Sequence, residues 1–102
     1  MKMYTIFATD TFKEVYATLD KSEQIWITNI KVKLEENLTG KILKFAWFRE
    51  KKYLNKRLYY LIDEQSKRIL FVAFASKKDQ QNIINFVIVN MKELLEYLRN
   101  LA

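Results

Sequence analysis

The chain opens on a cluster of strand formers, Met3 to Ala8 (M-Y-T-I-F-A). The period then changes. Phe12, Val15, Tyr16 and Leu19 fall at helical spacing, and Thr11 with Glu14 fits a capping box within the capping run Thr9-Asp10-Thr11. Asp20 with Glu23 repeats that signature. Trp26, Ile27, Ile30, Leu34 and Leu38 then recur every three or four residues, with Lys31, Lys33, Glu35 and Glu36 on the wet side. The pattern predicts a helical hairpin with almost no loop. Gly40 either caps its second helix or opens the next turn.

From residue 41 the pattern turns to strands. Ile42 to Glu50, Arg57 to Asp63 and Arg68 to Ser76 are rich in β-formers, separated by the polar connections Lys51 to Lys56 and Glu64 to Lys67. Connections this short favour antiparallel neighbours, hence a meander. Its aromatics (Phe45, Trp47, Phe48, Tyr59, Tyr60, Phe71, Phe74) are read as core under the helical hairpin. Ser76 suits the N-cap of a last helix, with Asp79 at the reciprocal position. Ile84, Val87, Ile88, Met91, Leu94, Leu95, Leu98 and Leu101 form its stripe. Phe86 and Val89 widen that stripe, which suggests two neighbours for the helix. The order β-α-α-β-β-β-α predicts one two-layer α+β domain over residues 1–102. In it the hairpin and a long C-terminal helix pack on a small, mainly antiparallel sheet.

Composition removes most catalytic classes. The chain has no cysteine and no histidine, so thiol chemistry, a histidine base and the commonest metal ligand are all lacking. A single glycine leaves no glycine-rich phosphate loop. No metal or other cofactor is expected. There is no signal-peptide run and no apolar stretch of roughly 18 residues, so a soluble cytoplasmic protein off the membrane is the expectation.

Charge localises the candidate chemistry. Residues 1–40 carry five Lys/Arg against six Asp/Glu, residues 79–102 two against three, and residues 41–78 eleven against three. The whole excess sits in the middle third, where a polyanion is the natural partner. Arg49, Lys51 and Lys52 end the first meander strand, Lys56 and Arg57 open the second, and Lys77 and Lys78 follow the third. Antiparallel pairing lets the three groups converge. Lys77 and Lys78 are placed in the first turn of a helix, against its dipole, where backbone N–H groups also attract anions. Such a cleft can hold a scissile phosphate and stabilise the charge of a pentacoordinate transition state. RNA supplies its own 2′-OH nucleophile, and a lysine crowded by other cations can exchange a proton. Asp63 and Glu64, at a turn, are read as solvent charges.

With these residues in place the chain resembles the RelE/ParE toxins of type II toxin–antitoxin modules, above all the RelE-like branch. The best-matching runs are Lys56-Arg57-Leu58-Tyr59-Tyr60-Leu61-Ile62-Asp63, Ile69 to Phe74, and Ser76-Lys77-Lys78-Asp79. The resemblance implies a metal-independent endoribonuclease that cleaves mRNA, in the ribosomal A site, with a cognate antitoxin as partner. The resemblance matches Arg57 to the family's phosphate-contacting arginine and Lys77 and Lys78 to the basic residues after the next strand, and leaves Arg49, Lys51 or Lys52 to serve from the preceding one. With the charge clustering this gives Arg57, Lys77, Lys78 and Lys52 as candidate catalytic residues and Arg49, Lys51, Tyr53 and Lys56 as candidate RNA-binding residues. One departure stands out. The family's C-terminal base-stacking tyrosine is replaced by the region Ile83, Ile84 and Phe86, Tyr97 lies too far along the helix, and Tyr53 is the alternative platform. A non-catalytic RNA- or protein-binding member of the fold, and a gyrase-inhibiting relative, are the alternatives.

Overall fold

The computed structural model describes residues 3–101. Its elements are β1 (Thr5–Ala8), α1 (Asp10–Thr18), α2 (Lys21–Glu36), β2 (Lys41–Ile42), β3 (Phe48–Tyr53), β4 (Lys56–Asp63), β5 (Arg68–Ser76), a 3-10 turn (Lys77–Asp79) and α3 (Gln80–Arg99). The strands form one sheet in the order β1-β5-β4-β3-β2. β1 runs parallel to β5 and every other pair is antiparallel. The α+β class and the meander are as expected.

The helical boundaries differ in detail. Asp20 and Glu23 form the predicted capping box: Asp20 Oδ1 accepts from the Glu23 N–H at 2.8 Å, and Glu23 Oε1 from the Asp20 N–H at 3.2 Å. The first helix is capped by Thr9 instead of Thr11, its Oγ1 accepting from the Phe12 N–H at 3.0 Å. β1 stops at Ala8, so Thr9 is the first hydroxyl residue free to leave the strand. Ser76 caps no backbone group; its hydroxyl meets Asp79 Oδ2 at 3.3 Å, and α3 begins only at Gln80. α2 ends at Glu36, and Gly40, at φ +112°, leads into β2.

The meander has one strand more than expected. Ile42 to Glu50 is split by a turn over residues 43–47 into β2 and β3. Conversely, Lys51 to Lys56 is mostly strand. β3 continues to Tyr53, and the chain reverses at Leu54 and Asn55, with Leu54 at φ +53°.

Alternation along β4 sorts the core. Leu58, Tyr60 and Ile62 face α1 and α2, packing with Phe12, Ile27, Ile30, Leu34, Ile69, Phe71 and Phe74. Tyr59 and Leu61 face α3, packing with Phe48, Leu70, Ile84, Val87 and Leu98. The two layers expected from sequence thus resolve into three, with helices on both sides of the sheet. α3 has the sheet for one neighbour; Phe86 and Val89 on its far side are exposed.

Candidate functional site

The β3–β4 hairpin pairs Lys52 with Arg57 and Glu50 with Tyr59, and β4–β5 pairs Arg57 with Ala75. Across the other edge of β3, Lys41 of β2 pairs with Glu50. Because side chains alternate along a strand, Lys41, Glu50, Lys52, Arg57 and Tyr59 share one face of the sheet, that of α3. Arg49, Lys51, Tyr53 and Lys56 share the other.

Glu50 is the centre of the first group, only 6% exposed. Its Oε2 lies 3.5 Å from Arg57 Nε and accepts from Gln80 Nε2 at 2.8 Å. Arg57 is nearly as buried as its partner. A buried carboxylate is tolerated only when paired and hydrogen-bonded; here the donors come from β4 and from the first residue of α3. Beside it the Tyr59 hydroxyl is buried and makes no hydrogen bond to a described residue. Burial first, and then the Glu50 carboxylate, hold its pKa above the ordinary tyrosine value, against the Arg57 charge and the nearby Gln80 amide. That amide already donates to Glu50.

Around this pair stand exposed cations, with Asp79 in the same turn as Lys77 and Lys78. Lys41, Lys52, Lys77 and Lys78 are exposed and make no ion pair with a described residue. Lys77 and Lys78 ride the 3-10 turn that carries the chain from β5 to Gln80. They precede α3 instead of forming its first turn, and the Gln80 N–H bonds back to the Lys77 carbonyl, so the two lysines stand directly at the helix's positive end.

The second group serves the fold. Lys56 Nζ meets Glu23 Oε2 at 2.6 Å and lies over the Phe74 ring at 5.4 Å. Tyr53 packs on Trp26, ring centroids 4.9 Å apart. Lys51 Nζ donates to Thr39 Oγ1 at 3.2 Å, and Arg49 Nε to the Ala46 carbonyl at 3.1 Å. The four predicted catalytic residues therefore gather at one end of the central strands, on the α3 side. The four predicted RNA-binding residues lie on the opposite face, and Tyr53 is no platform for a base bound at Arg57.

Sequence reasoning passed over Glu50, Gln80, Tyr59 and Lys41. Glu50 alternates with Phe48 and Lys52 in F-R-E-K-K, which marks it as sharing the core-facing side of its strand. An acid on that side needs a buried cation opposite. Among the described residues no three His, Cys, Asp or Glu residues group as metal ligands, and no helix is long and apolar enough to cross a membrane.

No family model and no curated protein matches the chain. Solved structures do. The toxin–antitoxin complex RelBE2 from Mycobacterium tuberculosis matches with TM-score 0.63 and 18% identity, covering 76% of this chain and 94% of the other. A double arginine-to-alanine mutant of the E. coli toxin RelE in the free state matches with TM-score 0.66 and 10% identity, covering 79% and 90%. The archaeal RelE–RelB complex from Pyrococcus horikoshii gives TM-score 0.62 and 12% identity, covering 74% and 96%. The chain has the RelE fold.

Proposed function

We propose that this protein is the toxin of a toxin–antitoxin pair and an endoribonuclease, cleaving mRNA on the ribosome at the Glu50–Arg57 cluster. Fold alone hosts several activities, so the reading rests on one observation. A buried carboxylate is held against an arginine and ringed by exposed, unpaired lysines. This arrangement supplies both parts that RNA cleavage needs. Arg57, with Lys52, Lys77 and Lys78, binds the scissile phosphate and stabilises the charge that develops on its equatorial oxygens. Glu50 accepts the proton of the 2′-OH as that oxygen bonds to phosphorus. The P–O5′ bond breaks, and a lysine ammonium on the exposed side protonates the departing oxygen. The products are a 2′,3′-cyclic phosphate and a 5′-hydroxyl. Two of the similar structures are toxin–antitoxin complexes, which supports a cognate antitoxin as partner.

Inducing the protein in cells while mapping RNA 5′ ends tests this. Wild type is expected to arrest growth and generate new 5′-hydroxyl ends. Glu50→Gln and Arg57→Ala, purified and shown to be folded, are expected to lose both by at least about 100-fold. Growth arrest without new ends would leave a toxin that is no nuclease. Normal growth with a folded product would refute the toxin reading.

One observation favours a second reading, an RNA-binding protein that does not cut. Among the described residues the only aromatic of the cluster is Tyr59, which is buried. No ring is available there to stack a base beside the reacting phosphate. Salt-sensitive RNA binding with no cleavage products would establish it.

A further inference from the structure

The turn between β2 and β3 carries an aromatic feature that the core does not require. Phe45 lies flat on Trp47, centroids 4.8 Å apart and planes 5° apart. Trp47 continues to Phe48 at 6.2 Å, and Phe48 to Tyr59 at 6.4 Å. The rings form a column from the surface to the buried hydroxyl beside Glu50. Trp47 packs with the core under α3, but Phe45 does not belong to that core. It ends the column 39% exposed, on a turn that holds it in place.

Along the turn itself the charge is of one sign, while Asp63 and Glu64 line the neighbouring recess with Trp47. Residues 37–49 contain no acid. Lys44 precedes Phe45 in the turn, and Lys41 stands on β2 opposite Glu50; both are exposed and neither is ion-paired with a described residue. The lysines thus run from the ring to the edge of the candidate site. At about 3.3 Å per residue, Phe48 and Lys52 stand about 13 Å apart along β3, a span of a few nucleotides. A flat π-face flanked by unpaired cations is how single-stranded nucleic acid is held without sequence readout.

We infer that this edge binds a single-stranded RNA segment that flanks the phosphate held at Arg57. One base stacks on Phe45, and the backbone follows Lys44 and Lys41. The inference rests on the reading that the cluster acts on RNA. It supplies, at a distance from the reacting phosphate, the stacking surface that the cluster lacks.

The test is the affinity of the full chain for a fluorescent single-stranded RNA of about ten nucleotides, measured at several salt concentrations. The Glu50→Gln background keeps cutting from disturbing the readout. Phe45→Ala is expected to weaken binding about tenfold, and Phe45→Trp to preserve it. Lys41→Ala with Lys44→Ala is expected to flatten the salt dependence. Circular dichroism of each variant confirms folding, which an exposed ring should not affect. Unchanged affinity in Phe45→Ala overturns the inference while leaving cleavage at Glu50–Arg57 intact. A Phe45 effect on binding by a protein that never cuts RNA keeps the edge and removes the nuclease. Absence of RNA binding, or loss of only a protein partner in the Phe45 variant, overturns the edge as an RNA site.

Discussion

Gly40 shows how one side chain can dictate a neighbour. Its φ of +112° is rarely adopted by other residues, but space is the stronger constraint. A Cβ there would collide with the Tyr60 hydroxyl and press on the Glu50 carbonyl oxygen at 3.0 Å. The hydroxyl is fixed, because it donates to the Thr39 carbonyl at 2.6 Å, and burial pushes its pKa up to about 12. Gly40→Ala is therefore expected to cost about 1–3 kcal/mol in chemical denaturation. Tyr60→Phe should relieve the collision but not the backbone strain, so the double variant should be less destabilised than the sum of the two. Strict additivity would show that the ring and the glycine do not meet. The glycine itself was visible in the sequence; the tyrosine that requires it was not, because Gly40 lies in the bend before β2 and Tyr60 twenty residues on, in β4. Glu50 was missed for the same reason. It reads as one acid in a basic stretch until the register brings Arg57 and Gln80 to it.

At the scale of elements, strongly periodic segments were legible and their joins were not. The α2 stripe held from Ile27 to Leu34, but Leu38 lies beyond the helix end at Glu36, and Glu35, expected on the wet side, is buried. The α2 capping box could be placed to the residue. The break between β2 and β3 could not, since residues 43–47 (L-K-F-A-W) contain none of the glycine, proline, asparagine or aspartate that mark turns. The turn at Leu54 and Asn55 had a further consequence. Assigning Lys51 to Lys56 to a connection removed the alternation that separates Lys52 and Arg57 from Lys51 and Lys56. The candidate residues were thus gathered at one end of the sheet without being sorted between its faces. The far end of α3 supplies a prediction. Arg68, on β5, donates to the carbonyls of Leu98 and Arg99 at 2.9 and 3.1 Å and lies over the Phe7 ring at 5.3 Å. It satisfies carbonyls that the helix leaves unpaired. Arg68→Ala should speed hydrogen exchange over the last two turns of α3 and leave the first turn, held by Gln80, protected. Equal exchange along the whole helix would mean that α3 opens as one unit.

For the whole molecule the governing fact is a net charge of +6, with 18 Lys/Arg against 12 Asp/Glu. Three of those carboxyl groups have their pKa values lowered by the fold. Burial alone would raise the Asp63 carboxyl, but hydrogen bonds from Ser66 and Arg99 outweigh it and lower its pKa below the ordinary 3.8. Hydrogen bonds from Lys67 and then Tyr4 lower Glu64 below 4.5. The Glu23 N–H, then the Ser22 hydroxyl, lower Asp20. In each case the folded state holds its proton less tightly than the unfolded chain. The stabilisation is therefore complete above the ordinary carboxyl values and is lost as pH falls through the depressed ones. Asp63 matters most to the architecture, since its Oδ2 receives Ser66 Oγ at 2.6 Å and Arg99 Nε at 3.3 Å, tying the end of α3 to β4. Protonation releases that tie and adds positive charge to a molecule already repelling itself. Melting temperature should be nearly level from neutral pH down to about pH 5 and fall below it. Asp63→Asn should melt lower than wild type at neutral pH, and the gap should close as pH drops below the ordinary carboxyl range. A gap of constant size down to about pH 2 would show that Asp63 acts by shape and not by charge. High salt separates the remaining terms: it should soften the general acid destabilisation, which is long-range repulsion, more than the Asp63 gap, which arises from contacts at hydrogen-bond distance.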